Sequence, residues 1–214
     1  MSGFASVILD VDSTLCGIEG IDWLAARRGP EVGQAVTLLT DRAMRGEIPL
    51  DAVYGERLAV VRPALADIVA LTNAYTAAFA PGAKRAIGRL QDEGRRVVLI
   101  SGGIREAILP VASLIGIPSR DVHAVSVLLD AHDGYGGFES DSPLATAEGK
   151  RTVAARLGLP RPLLAVGDGA TDLAMQPSVD AFAAFTGFVS REAVVAGADF
   201  VVESFDQLLE IVLA

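Results

Sequence analysis

Apolar runs that stop on a carboxylate, a hydroxyl or a glycine constrain this chain more than any other feature. Val7-Ile8-Leu9 runs into Asp10-Val-Asp12-Ser-Thr14. Val97-Val98-Leu99-Ile100 runs into Ser101-Gly102-Gly103. Leu163-Leu164-Ala165-Val166 runs into Gly167-Asp168-Gly-Ala-Thr171-Asp172. Short apolar runs bounded in this way read as strands buried on both faces. Strands are expected over 6–10, 96–101, 163–167, 181–184 and 200–202. Helical periodicity falls between them, over 84–93, 104–115, 150–157, 172–176, 191–196 and 205–212. Pro110 inside the second of these predicts a kink or an early stop. Strands alternating with helices give an α/β fold: a parallel sheet with helices on its faces, a three-layer Rossmann-like core.

Residues 17–80 break the alternation. They carry helical patterns and no convincing strand, and are too long for an ordinary connection. The expected organisation is a core from 1–16 and 81–214, with 17–80 as a helical cap inserted after the first strand. Pro81-Gly82 marks the return. A second irregular stretch, 122–138, holds Gly134, Gly136 and Gly137 and predicts a hairpin.

At 214 residues and 51% hydrophobic, the chain can bury a sizeable core. A net charge of −9 argues against nucleic acid or an anionic membrane as a main partner. It leaves room for a small anionic substrate in a locally cationic cleft. No apolar stretch is long enough to span a bilayer. The N-terminus has no basic region followed by an apolar segment. Cys16 is the only cysteine, so no intrachain disulfide forms. A cytoplasmic protein is expected, and a homodimer is compatible with the sequence. Cys16 itself reads as a small core hydrophobe, and His123 and His132 stand in no partner pattern.

Four elements carry chemistry. Asp10 and Asp12 end a buried strand, where carboxylates are costly unless paired or metal-bound. Such a pair suits a carboxylate nucleophile beside a general acid and base. A magnesium ion there would screen nucleophile from phosphate. Ser101-Gly102-Gly103 reads as a strand opening into a helix, with a hydroxyl and free backbone N–H groups for an anion. Lys150, at a helix start, can neutralise phosphate charge. Asp168 can complete a magnesium site, with Asp172 behind it. Each has an ordinary alternative: turn-capping carboxylates, a common strand–helix turn, a solvated lysine, an N-cap at Asp172. The four in this order form a far more specific pattern than any one of them.

That ordered set resembles the haloacid dehalogenase superfamily. Within it, Glu19-Gly-Ile-Asp22, Arg42-Ala-Met44, Gly46, Glu56-Arg57-Leu58 and Phe182–Phe185 with Gly187 are similar to the phosphoserine phosphatases. The likeness covers nearly the whole chain. The resemblance implies Asp10 as nucleophile and Asp12 as general acid and base. It implies Asp10, Asp168 and the Asp12 backbone carbonyl as magnesium ligands. Ser101, Gly102, Gly103, Lys150 and Thr171 would bind the phosphorylated substrate, Glu19 its ammonium and Arg57 its carboxylate. Thr14, Asp172 and Leu50 would stand behind these groups. The implied reaction is hydrolysis of O-phospho-L-serine to L-serine and phosphate, the last step of serine biosynthesis. Hydrolysis of another small phosphomonoester, or phosphotransfer to a small alcohol, stays open. Leu50 stands where the family usually has Phe, Ala124-Val125-Ser126 where it usually has Ala-Asn-Arg, and Thr171 where many bacterial members have Asn.

Overall fold

A buried parallel strand must present apolar side chains to both faces of its sheet, and β1 (Ser6–Leu9) does so with every residue buried. In the computed structural model, which describes residues 3–44 and 47–214, four helices follow this strand: α1 (Gly20–Arg28), α2 (Pro30–Met44), α3 (Leu50–Val61) and α4 (Leu65–Ala77). The chain then alternates through α5 (Ala83–Asp92), β2 (Arg96–Ile104), α6 (Arg105–Ser113) and β3 (Val122–Val125). A hairpin of β4 (Val127–Leu129) and β5 (Tyr135–Phe138) comes next. The chain closes with α7 (Gly149–Arg156), β6 (Leu163–Gly167), α8 (Ala170–Leu173), β7 (Ala181–Phe185), α9 (Glu192–Gly197), β8 (Phe200–Val202) and α10 (Phe205–Leu213).

Six strands pair in the order β3-β2-β1-β6-β7-β8, all parallel. The chain fills one side of β1 first and then crosses to the other, so the β1–β6 crevice is the point where winding reverses. In open α/β sheets, ligands sit there, beyond the strand carboxyl ends. Helix α5 shows how the layers close. Ala83, Ala86, Ile87 and Leu90 are buried, at the spacing of one helix face. Helix α10 buries Phe205, Leu208 and Val212 and is capped by the Ser204 hydroxyl oxygen, which accepts from the Gln207 N–H at 3.3 Å.

The insertion enters and leaves through a neck. The Gly17 N–H donates to the Ala78 carbonyl at 2.8 Å and the Ala80 N–H to the Leu15 carbonyl at 2.9 Å. Cys16 forms an antiparallel bridge with Phe79. The hairpin leans on the insertion. Phe138 packs edge-on against Tyr54 of α3 at 5.5 Å between ring centroids, and the Leu65 N–H donates to the Asp133 carbonyl.

Several expected boundaries change, among them the helix expected over 172–176, which runs from Ala170 to Leu173. Residues 122–125 are the parallel edge strand β3, and the hairpin is confined to 127–138. β2 runs on to Ile104, three residues past its expected end, with its register to β3 shifting between Ile100 and Ile104. Gly102 and Gly103 therefore lie in an irregular, extended strand end rather than at a helix start, and the helix begins at Arg105. Pro110 is accommodated inside α6, whose last turn still closes through the Leu114 N–H on the Pro110 carbonyl at 3.2 Å. The helix then ends at Ser113, short of the expected 115. No single helix among the described residues is long and apolar enough to cross a membrane.

Candidate active site

Parallel register brings the strand ends together. Leu9 lies level with Leu99 of β2 and Val166 of β6. One or two residues further along, Asp10, Ser101 and Asp168 emerge on the same edge of the sheet. The Asp10 N–H still donates to the Val166 carbonyl at 3.0 Å, which fixes the backbone from which its side chain projects.

Lys150, on the first turn of α7, reaches into this cluster. Its Nζ lies 2.7 Å from Asp10 Oδ1 and donates to Asp172 Oδ1 at 2.6 Å. All three side chains are buried, Lys150 at 8% exposure and Asp172 at 1%. Asp172 is seated by its own turn, its Oδ2 accepting the Gly169 N–H at 3.0 Å. It also depends on Gly167, where a Cβ would come within 2.1 Å of the Asp172 carboxyl carbon. Behind them, the Thr14 hydroxyl donates to Asp168 Oδ1 at 3.4 Å.

Burial holds the Asp10 carboxyl well above the usual carboxylate range. Asp172 and Asp12 push it further and Lys150 pulls it back. Burial alone would favour a neutral Lys150 amine, but Asp10 and Asp172 outweigh it and raise the group, so it stays charged. Asp12 is pushed up to about 7 by burial first and by Glu19 second. The Tyr75 hydroxyl, Lys150 and the Gly20 backbone N–H act in the opposite direction. Carboxylates outnumber the cation at the strand ends, an arrangement that favours a bound positive charge.

The donor set fits a hard divalent cation. Asp10, Asp168 and Asp172 are all buried and offer carboxylate oxygens within 4.8 Å of one another. Oxygen donors of this kind suit magnesium, which keeps several waters. Both Asp172 oxygens are already engaged, by Lys150 and by Gly169. Asp10 Oδ1 and Asp168 Oδ2 accept no aligned hydrogen bond, although Lys150 and the Arg191 guanidinium stand against them. Asp168, whose Oδ1 accepts from Thr14, has neighbours at both oxygens as Asp172 does, so a bound cation would share these carboxylates with Lys150, Thr14 and Arg191.

The remaining candidates separate by position. Ser101 is buried, and its hydroxyl oxygen accepts the Gly103 N–H at 2.9 Å. That leaves the Ser101 proton available to an incoming acceptor. Thr171 is exposed on α8. Glu19 stands at the start of α1, where its Oε1 accepts from the Ser13 hydroxyl at 2.7 Å. Arg57 of α3 donates to Asp22 of α1 at 2.6 Å. The side chains of Met44 and Leu50, and the whole of Gly46, lie outside the described residues. The sequence assigns no role to three further contributors. Tyr75 donates to Asp12 from α4, Asp22 holds Arg57, and Arg191 contacts Asp168 and lies 3.9 Å from Glu19. Of these, only Asp22 stood inside a recognised motif.

Comparisons with known proteins agree with this geometry. The model of the haloacid dehalogenase-like hydrolases matches residues 7–176. The chain is 37% identical over 207 residues to a phosphoserine phosphatase of Bos taurus, covering 95% of this chain and 91% of that one. It is 35% identical over 209 residues to the chloroplastic phosphoserine phosphatase of Arabidopsis thaliana, covering 95% and 70%. Its backbone superposes on a phosphoserine phosphohydrolase-like protein of Francisella tularensis with a TM-score of 0.83, covering 99% and 100%. At 23% identity, that likeness is one of fold.

Proposed function

We propose, from the premise that this chain belongs to the haloacid dehalogenase-like hydrolase family, that it hydrolyses O-phospho-L-serine to L-serine and phosphate, the closing step of serine biosynthesis. The observation that carries the reading is the buried Asp10–Lys150–Asp172 network at the switch point of the sheet. The relatives at 35–37% identity support the choice of substrate.

Asp10 is the nucleophile. One of its oxygens bonds to phosphorus as the bond from phosphorus to the seryl oxygen breaks, and the proton of Asp12 passes to that oxygen. A water then gives a proton to Asp12 and adds to phosphorus, the bond to Asp10 breaks, and phosphate leaves. Lys150 holds Asp10 in place and meets the phosphoryl oxygens as charge builds on them. Ser101, Gly102 and Gly103 would line the phosphoryl group, with Thr171 at its margin. Asp10, Asp168 and the Asp12 carbonyl would hold magnesium, which when bound screens the carboxylate from the phosphoryl charge and orients both. Thr14 and Asp172 keep these ligands in position.

Glu19 would take the substrate ammonium and Arg57 its carboxylate. The insertion over 17–80 would act as a cap on the 1–16 and 81–214 core, excluding water when closed. The neck at Cys16 and Phe79 supports that division. A cytoplasmic setting agrees with the single buried thiol of Cys16.

A second reading, hydrolysis of a small phosphomonoester without an amino-acid headgroup, draws on one observation: Arg57 is already paired with Asp22. Phosphate release from O-phospho-L-serine and a panel of small phosphomonoesters, with magnesium and with EDTA, separates the two. Preference for phosphoserine, with turnover abolished by EDTA and by Asp10→Asn, is the expected result. Preference for another ester keeps the chemistry and replaces the substrate. Full activity in Asp10→Asn removes the nucleophile assignment.

A further inference from the structure

Tyr75 is the fully buried aromatic whose polar end points at the site. It lies on α4 of the insertion, 63 residues from Asp12, with no exposed surface, and its hydroxyl donates to Asp12 Oδ1 at 2.5 Å. A buried phenol usually finds a partner, and one near the site has carbonyls and carboxylates to choose from. Two positions keep the path to Asp12 open. A Cβ on Gly20 would stand 2.1 Å from the Tyr75 hydroxyl oxygen, and one on Gly103 would stand 3.2 Å from it. Glycines on α1 and at the end of β2 therefore clear the space through which an α4 side chain reaches the β1 loop.

Asp12 has a geometric need that this contact meets. The terminal torsion of an aspartate is broad and roughly two-fold, so the backbone alone does not decide which oxygen faces the substrate. The proposed reaction needs one oxygen in line with the seryl oxygen and later with a water. The Gly20 backbone N–H also favours the ionised carboxyl, and binding Oδ1 to a fixed side-chain donor sets which oxygen is left for that task.

We infer that Tyr75 is a positioning residue: its buried hydroxyl pins Asp12 Oδ1, so that Oδ2 is presented to the leaving oxygen and then to the attacking water. This rests on the reading of Asp12 as acid and base. It also makes the insertion part of the proton-transfer apparatus, because the residue that orients Asp12 belongs to α4.

The test compares Tyr75→Phe and Asp12→Asn on two esters, O-phospho-L-serine and p-nitrophenyl phosphate. The seryl oxygen needs a proton as it leaves, and p-nitrophenolate does not. Acid–base groups contribute about 10²–10⁴-fold, so loss of orientation is expected to lower kcat/KM of Tyr75→Phe on phosphoserine by about tenfold. The KM for phosphoserine should hold, and the thermal midpoint should drop by a few degrees because a buried carboxylate loses a partner; kcat/KM for p-nitrophenyl phosphate, which covers only the steps up to loss of the first product, should stay within about twofold of wild type. Gly20→Ala, which crowds the same hydroxyl, should repeat the pattern. If p-nitrophenyl phosphate is not turned over, acid-quenched single turnovers on phosphoserine replace it. Phosphoenzyme formation slowed about tenfold at unchanged KM then supports the inference, and an unchanged rate overturns it. Equal losses on both esters overturn it, as does wild-type behaviour of Tyr75→Phe beside a collapsed Asp12→Asn. Full phosphoserine activity in Asp12→Asn overturns the acid–base reading itself, and the inference with it.

Discussion

The strand ends and the helical rim above them hold charge in opposite ways. At the strand ends, Lys150 sits between Asp10 and Asp172 with less than a tenth of any side chain exposed. On the rim, Arg57 pairs with Asp22 and Arg191 lies near Glu19, and the acidic partner of each pair is almost half exposed, at 46% and 45%. A buried network is strong because each member is indispensable to the others, and removing one leaves bare charge in a poor solvent. An exposed pair is worth little and exchanges partners cheaply. The chemistry of phosphoryl transfer needs groups that are already in place. Recognition of a zwitterion needs groups that can leave one partner for another. Under the proposed function, the two regions would divide along that line.

Lys150→Met attacks the buried side and should produce the largest effect. Leaving Asp10 and Asp172 facing each other should cost about 3–5 kcal/mol of stability, read as a shift in the urea midpoint at constant slope. An unmoved midpoint would show that the network is no tighter than the rim. Added magnesium should act on the same region with the opposite sign. Binding to the native state alone stabilises by about 2.7 kcal/mol at a hundred times Kd. The thermal midpoint should therefore rise with magnesium in the wild type and stay level in Asp168→Asn.

Arg57→Ala tests the rim. Loss of a charge-assisted bond worth about 1.5–3 kcal/mol should raise KM for phosphoserine by about 10- to 100-fold. Stability should change by less than about 1 kcal/mol. A KM unaltered by the substitution would favour a substrate without a carboxylate. Asp22→Asn should be the mildest change, shifting stability by less than about 0.5 kcal/mol. If it instead lowers kcat while leaving KM alone, Arg57 is held for catalysis and the division between the regions fails.

The fold is legible in the sequence where burial is symmetric. β1, the body of β2, and β6 lie with both faces covered, so their apolar runs are unbroken and their ends easy to see. β3 is hidden because Val-His-Ala-Val is an edge strand with half-buried His123 in the run, and Gly134, Gly136 and Gly137 further on suggest a hairpin over the whole stretch. The Gly102–Gly103 segment stays extended past the expected strand end, because pairing with β3 resumes at Ile104 after a shift in register. Among candidate site residues, Asp10, Lys150, Asp168 and Asp172 announce themselves by standing at the ends of elements. Tyr75 does not. Along α4 it looks like any core aromatic, with Ile68 and Leu71 buried beside it, and its partner is set by how α4 packs against α6 and α1. Arg191 likewise reads as an ordinary residue ahead of α9.

The neck at Cys16 and Phe79 has a consequence for how such chains diversify. The two crossings are hydrogen-bonded to each other, so the sheet meets the excursion as though it were a short closed loop. Extra length beyond such a closure costs little, about 0.6 kcal/mol per doubling. Whole excursions can then be lengthened, trimmed or grafted between relatives while the strands beneath stay in register. A graft made here carries one obligation. If Tyr75 positions Asp12 as inferred above, the graft must bring a donor to the place of its hydroxyl, or the transplanted enzyme will bind its new substrate and turn it over slowly.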